Sequence, residues 1–295
     1  MIGEISALGC ALCWAVSSTL TKSLAGKFEP LALNLLRCLA ASIVFWGIIP
    51  FSPGTQALTK IPQAAFLYLM LSALIGIAIG DTIYLRALKL INVTVAFPIA
   101  QSAWPLLTLI LAVLFLGEPI TWSLGLGTAL VLVGVYLIVA PGRKARFPFA
   151  MAPSERKGLG IGLMLIASAL WAISISCLKL GLQGVSLILA NGLRLPAASL
   201  ALLFLILLQN PNPQSTKLRF RDLALGAVTG IVAFGLGGLL FLQAIIYSGA
   251  GKATVLTSSA PLLGLPLSVT FLQEKVTGRI IAGTVLVVLG IGFTV

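Results

Sequence analysis

Asp81 is the only acidic residue that falls clearly inside one of the long apolar runs of this chain. A lone carboxylate in such a setting suits three tasks: binding a cationic group, taking up a proton, or neutralising Arg37 or Arg86. Polar side chains at helical spacing accompany it. Trp14, Ser17, Ser18 and Thr21 stand at i, i+3, i+4 and i+7, on a single face of a helix. Further runs offer Gln101, Trp104 and Thr108, then Trp171 and Ser174, then Gln243, then Thr254, Thr257 and Ser258. Any one Ser or Thr can simply hydrogen-bond between membrane helices. Trp and Gln on the same faces are not needed for packing, so the set is expected to line a substrate cavity. Asn34 with Arg37, and Asn191 with Arg194, form two pairs with the same spacing. An arginine at the membrane centre costs about 2.5–3.5 kcal/mol on insertion scales. These two either anchor their helices by reaching toward the interface or contact an anionic group as paired gates.

Those residues need an all-helical frame in a bilayer. The chain has 295 residues, 59% of them hydrophobic and only 9% charged, whereas a soluble domain is about one quarter charged. With no histidine, His-ligated metals and Ser-His-Asp chemistry are excluded. Cys10, Cys13, Cys38 and Cys177 lie in apolar runs without a metal or disulfide spacing and are read as small packing residues. Gly251-Lys252 lacks the rest of a phosphate loop, since Ile246 and Ala253 replace the required Gly and Ser or Thr. No metal, cofactor, nucleic acid or enzymatic step is expected. The net charge of +12 belongs to loops between spans.

Apolar runs bounded by Pro, Gly, Asn and charged clusters predict ten spans, at 3–22, 31–50, 62–86, 92–116, 121–141, 157–179, 186–208, 220–247, 252–272 and 277–295. They divide into a first unit at 1–141, a basic connection at 142–156 and a second unit at 157–295. An offset of 157 pairs Trp14 with Trp171, Lys22 with Lys179, Asn34 with Asn191 and Arg37 with Arg194. An offset of 156 then pairs Pro105 with Pro261, Glu118 with Glu274, Gly127 with Gly283 and Gly134 with Gly290. Five spans per unit is an odd number, so the second unit enters the membrane from the opposite side, giving two inverted five-helix repeats. Asp81 has Gly238 as its counterpart. Glu118 and Glu274 precede the fifth and tenth spans and read as helix-start carboxylates. Gly76 with Gly80, Gly158 with Gly162, and Gly226 with Gly230 have the spacing of close helix contacts.

The doubled unit, the stretch GDTIYLRALKLINVTVAFPIAQSAWPLLTLILAVLFLGEPITW and its echo APLLGLPLSVTFLQEKVTGRIIAGTVLVVLGIG resemble the drug/metabolite transporter superfamily and its ten-span EamA branch. The resemblance covers nearly the whole chain. It implies export of amino acids, other metabolites or drugs, and leaves the cargo open. Small multidrug members of the superfamily use a glutamate within their first helix, where this chain has only Glu4 at the edge. Basic residues crowd the odd-numbered connections, against Lys60, Lys179 and Lys252 on the other side, which places both termini outside. The resemblance implies termini inside. The expectation is a multi-pass carrier in the plasma or inner membrane that exports an amino acid or similar polar metabolite by alternating access, with Asp81 meeting an amine or a coupling proton. A drug or nucleotide-derivative carrier, and a non-transporting membrane subunit, are the alternatives.

Overall fold

Long runs of Leu, Ile, Val and Ala leave the backbone no polar solvent in a bilayer, so each run must satisfy its own N–H and C=O groups, and a helix does so. The computed structural model describes residues 1–22, 24, 27–52, 61–88, 90, 93–139, 157–209, 219–263 and 278–295. Among these the regular structure is helical, with no strand. Helix α1 runs over Ile2–Lys22. Helix α2, Pro30–Ile48, starts with proline in its first turn, where no donor is lost, after an extended Glu29. Helix α3 (Gln63–Ser72) passes through a π-helical segment, Ala73–Gly80, into α4 (Asp81–Leu88). Then come α5 (Val93–Leu116), α6 (Trp122–Val139), α7 (Lys157–Gly181) and α8 (Leu187–Gln209). Helix α9 (Phe220–Gly230) continues through a second π segment, Ile231–Leu236, into α10 (Gly237–Ser248). Helices α11 (Ala250–Thr257) and α12 (Gly278–Thr294) close the order.

Six stretches are long and apolar enough to cross a bilayer: Ile2–Thr21, Leu31–Phe51, Gln63–Tyr84, Gly158–Gly181, Leu187–Gln209 and Phe220–Ser248. Shorter apolar helices cover Ser102–Leu116, Trp122–Ile138 and Gly278–Thr294. The later part of the expected ninth span, with Glu274, lies outside the described residues, as does the basic connection. Large apolar side chains face outward here, beside an interior that also buries Phe45, Leu69 and Met164. Ile43 and Leu200 are 72% and 68% exposed, while the interior holds small residues such as Ala7, Cys10, Cys38, Ala41 and Ala244. Outward-facing large apolar side chains on this scale would be an aggregation hazard in water, and match acyl chains. Small interior residues let helix backbones approach.

The two π segments occupy matching places, since residues 74–79 shifted by 157 become 231–236. Each is closed by an N–H reaching five residues back, Asp81 to Gly76 and Gly237 to Val232. Such turns insert one extra residue and commonly accompany functional positions. Helix α6 packs on α12 with Gly127 against Gly290 and Gly134 against Gly283, so the two run antiparallel with backbones in contact. Helices α2 and α8 also pair, and there Pro196 decides a contact. Proline has no N–H, so the Gly192 carbonyl four residues earlier is freed, and the Trp46 indole donates to it at 2.9 Å.

The glycine spacings separate on inspection. Gly76 lies on Ser174, and Gly230 lies on the Arg37 backbone, as close-contact motifs require. Among the described residues nothing lies within 4 Å of where a Cβ of Gly158 or Gly162 would stand. Glu118 differs from its expected role too. It accepts the N–H groups of Ala250 at 2.6 Å and Gly251 at 3.0 Å, and so caps α11 instead of the helix that follows it in sequence. Gly249 (φ 85°) makes the turn into α11, with the Glu118 carboxylate where its Cβ would be.

Candidate functional site

Asp81 opens α4 directly after the π segment and is partly buried. Trp171, from α7, donates its indole N–H to Asp81 Oδ1 at 2.8 Å. Asn34, from α2, donates its amide to Asp81 Oδ2 at 3.4 Å. Tyr84, one turn along α4, packs on Trp171 with ring centroids 5.3 Å apart. Five of the predicted residues therefore share one neighbourhood, because Arg37 stands one turn beyond Asn34 and reaches Ser17. Its guanidinium donates to Ser17 Oγ at 3.4 Å and covers the Phe234 ring at 4.7 Å. Ser17 in turn donates to the Thr229 carbonyl at 2.9 Å. The Arg37 Nε is buried without a partner. Among the described residues no ion pair within 4.0 Å joins Arg37 to Asp81. The carboxylate is thus held by neutral donors, with positive charge kept one step away.

The other half contains an equivalent place. Gly80 faces Trp171, where a Cβ would stand 3.0 Å from Cδ1, and Gly237 faces Trp14, where it would stand 3.3 Å from Cδ1. Beside Gly237, Gly238 takes the position that Asp81 has beside Gly80. With no carboxylate there, Trp14 Nε1 goes to the Ala233 carbonyl at 3.3 Å, and its ring packs between Trp104 and Phe241 at 6.3 and 5.3 Å. Asn191 Nδ2 is buried without a partner, although Arg194 reaches Asn191 Oδ1 at 3.4 Å. Arg194 Nε is also buried without a partner.

Among the described residues, the hydrogen bonds of the remaining predicted hydroxyls and of Gln243 go to groups other than Asp81, Asn34, Asn191, Trp14 and Trp171. Ser174 bonds to the Ser72 carbonyl at 2.7 Å and to its hydroxyl at 3.2 Å, tying α7 to α3. Gln243 accepts from Ser6 at 3.2 Å, between α10 and α1. Thr254, Thr257 and Ser258 are buried and bond back to carbonyls of their own helix. Thr108 bonds back to the Trp104 carbonyl. Thr21 Oγ1 is buried without a partner. The side chains of Ser18 and Gln101 lie outside the described residues. Tyr84, Phe234 and Ser72 were not singled out by sequence. Tyr84 alone carried a signal, three positions after Asp81 on the same helix face.

A cavity of about 590 Å³ opens elsewhere, at the end of the bundle that holds both termini. Glu118, Lys179, Ser248 and Lys252 line it, and Asp81 does not. Its two lysines are engaged, Lys252 with Glu4 at 2.8 Å and Lys179 with the Ile245 carbonyl at 2.8 Å, whereas Ser248 Oγ is buried without a partner. No group of three or more potential metal-binding side chains occurs among the described residues.

The model of the EamA-like transporter family matches residues 1–140 and 158–295. An uncharacterized transporter of Archaeoglobus fulgidus is 26% identical over 291 residues, spanning 99% of this chain and 97% of its own length. A crystal structure of a protein 20% identical in sequence covers 99% of this chain and 95% of its own, with a TM-score of 0.77, and so shares the fold.

Proposed function

This chain belongs to the EamA-like transporter family, and we propose that it is a secondary carrier that exports amino acids or similar small polar metabolites by alternating access. It is accordingly a transporter and not an enzyme, and a multi-pass protein of the cell membrane. In the proposed arrangement ten helices form two inverted five-helix repeats that rock about a site near the midplane. Support comes from pairings that a two-fold axis between equivalent positions demands: Gly127 meets Gly290 while Gly134 meets Gly283, and Trp171 faces Gly80 while Trp14 faces Gly237. The matched π segments add to it.

The observation that carries the functional reading is Asp81, a carboxylate inside a span that is held by the neutral donors Asn34 and Trp171 and not consumed by an ion pair. Such a group can take a substrate ammonium in exchange for its neutral partners, or take up a proton, as ionisable residues inside membrane spans commonly do. Aromatic rings of Trp171 and Tyr84 alongside suit an organic cation as well. The test is purified protein in liposomes preloaded with amino acids and small metabolites, with efflux followed by mass spectrometry with and without a pH gradient. Selective, gradient-dependent loss of amino acids that disappears in Asp81→Asn is expected. Retention of every amino acid by a folded protein overturns the assignment.

A further inference from the structure

Two tryptophan-flanked positions with equivalent neighbours, one filled by a carboxylate and one empty of it, raise the question of what fills the second. At the first, Asn34 donates to Asp81. At the second, Asn191 stands in the same relation to Gly238: a Cβ there would lie 3.0 Å from Asn191 Nδ2 and, among the described residues beyond its own helix turn, within 4 Å of no other. Gly238 is partly exposed, whereas Asn191 is 2% and Arg194 9% exposed. A buried amide N–H and a buried guanidinium N–H without partners each carry a desolvation cost that a bound acceptor would relieve. Among the described residues no carboxylate pairs with Arg194. Trp14 Nε1, engaged at 3.3 Å with a backbone carbonyl, is the neighbouring donor that can turn to a better acceptor.

We infer that Asn191 and Arg194, beside Gly238, form a seat for a carboxylate belonging to the transported molecule, which takes there the place that Asp81 occupies in the other half. This rests on the amino-acid reading above and deepens it. The substrate supplies its own carboxylate to one half while Asp81 answers its ammonium group in the other. Gly238 is required because any side chain would occupy the seat. A carboxylate, planar and singly charged, matches the group that the equivalent donors already hold, and a phosphoryl group does not.

The experiment uses acid and amide pairs: propionate against propionamide, and L-alanine against L-alaninamide, with inorganic phosphate alongside. Each is titrated into the purified full-length protein and the midpoint of thermal unfolding is read. The acids are expected to raise the midpoint and the amides and phosphate to leave it. Gly238→Asp places a built-in carboxylate against Asn191, whose flexible side chain can give way, and is expected to weaken the acid response about tenfold or more. Asn191→Leu removes the donor with the same expected loss, and decides the matter if Gly238→Asp does not fold. The inference is overturned if the amides match the acids, if only phosphate acts, if no acid acts, or if the response persists in the folded variants. Efflux from liposomes is measured in parallel. Acid-selective binding without amino-acid efflux removes the amino-acid export reading and keeps a carboxylate seat; efflux of amino acids without acid selectivity removes the seat and keeps the export reading.

Discussion

The Asp81 and Gly238 positions differ in one side chain and share nearly everything else. Each is entered through a π segment, preceded by a glycine lying on a tryptophan of the other half, and faced by an asparagine three residues before an arginine. Yet Trp171 and Asn34 converge on a carboxylate, whereas Trp14 turns to a carbonyl and Asn191 Nδ2 finds nothing. Features present twice belong to the frame that either half must build. The single carboxylate is not required by that shared frame, and the proposed function rests on it for that reason.

The largest test of this contrast is to erase it. Asp81→Asn keeps the shape and makes both positions neutral, leaving one oxygen for the Trp171 N–H and an amide NH2 that the Asn34 amide can meet by turning its oxygen inward, so efflux is expected to fall about 100-fold, equivalent to ~2.7 kcal/mol. An efflux rate unchanged from wild type would place the coupling or binding group elsewhere. Next in size is Gly230→Ala, because its new methyl would strike the backbone of Arg37, which cannot move aside. A loss of about 1–3 kcal/mol in stability is expected from thermal or denaturant unfolding. At the equivalent position Ala73 already carries its methyl fully buried, so the two halves approach their neighbours at different distances there.

A finer comparison sets Trp171→Phe against Trp14→Phe. The first breaks a 2.8 Å bond to a carboxylate and is expected to cost about 1.5–3 kcal/mol, the second breaks a 3.3 Å bond to a carbonyl and is expected to cost about 0.5–1.5 kcal/mol. Equal losses would mean that packing alone sets the value of these rings. Smallest is Trp46→Phe, which leaves the Gly192 carbonyl freed by Pro196 without its donor, at about 1 kcal/mol. Its counterpart in sequence is Leu203, and Leu203→Phe, on a 42% exposed position, should be close to neutral in the same unfolding assay.

Much of the helical frame was legible because scarce residues such as Trp, Asn and Arg recur at one offset in a chain rich in Leu, which composition cannot mimic. Contacts were harder to read. The offset states which residues are equivalent, and says nothing of which ones touch: Trp171 reaches Asp81 across ninety positions, and Glu118 caps a helix that begins far along the chain. Nothing in ALIGIAIG separates a π segment from an ordinary helix, since both tolerate the same apolar residues. GxxxG spacing says that a close approach is permitted and not what is approached: Gly76 meets a serine side chain and Gly230 the Arg37 backbone. The hydroxyls of α11 looked like a polar face in sequence, whereas most of them are satisfied by carbonyls a turn earlier.

Each tryptophan lies against a glycine contributed by the opposite half, so neither half can change its ring or its glycine alone. A chain of half this length, forced to pair with an identical copy, would carry a carboxylate in both places or in neither. Joining the two halves in one polypeptide removes that restriction. One position can then be charged and the other left vacant, while the two tryptophans hold both in the same register.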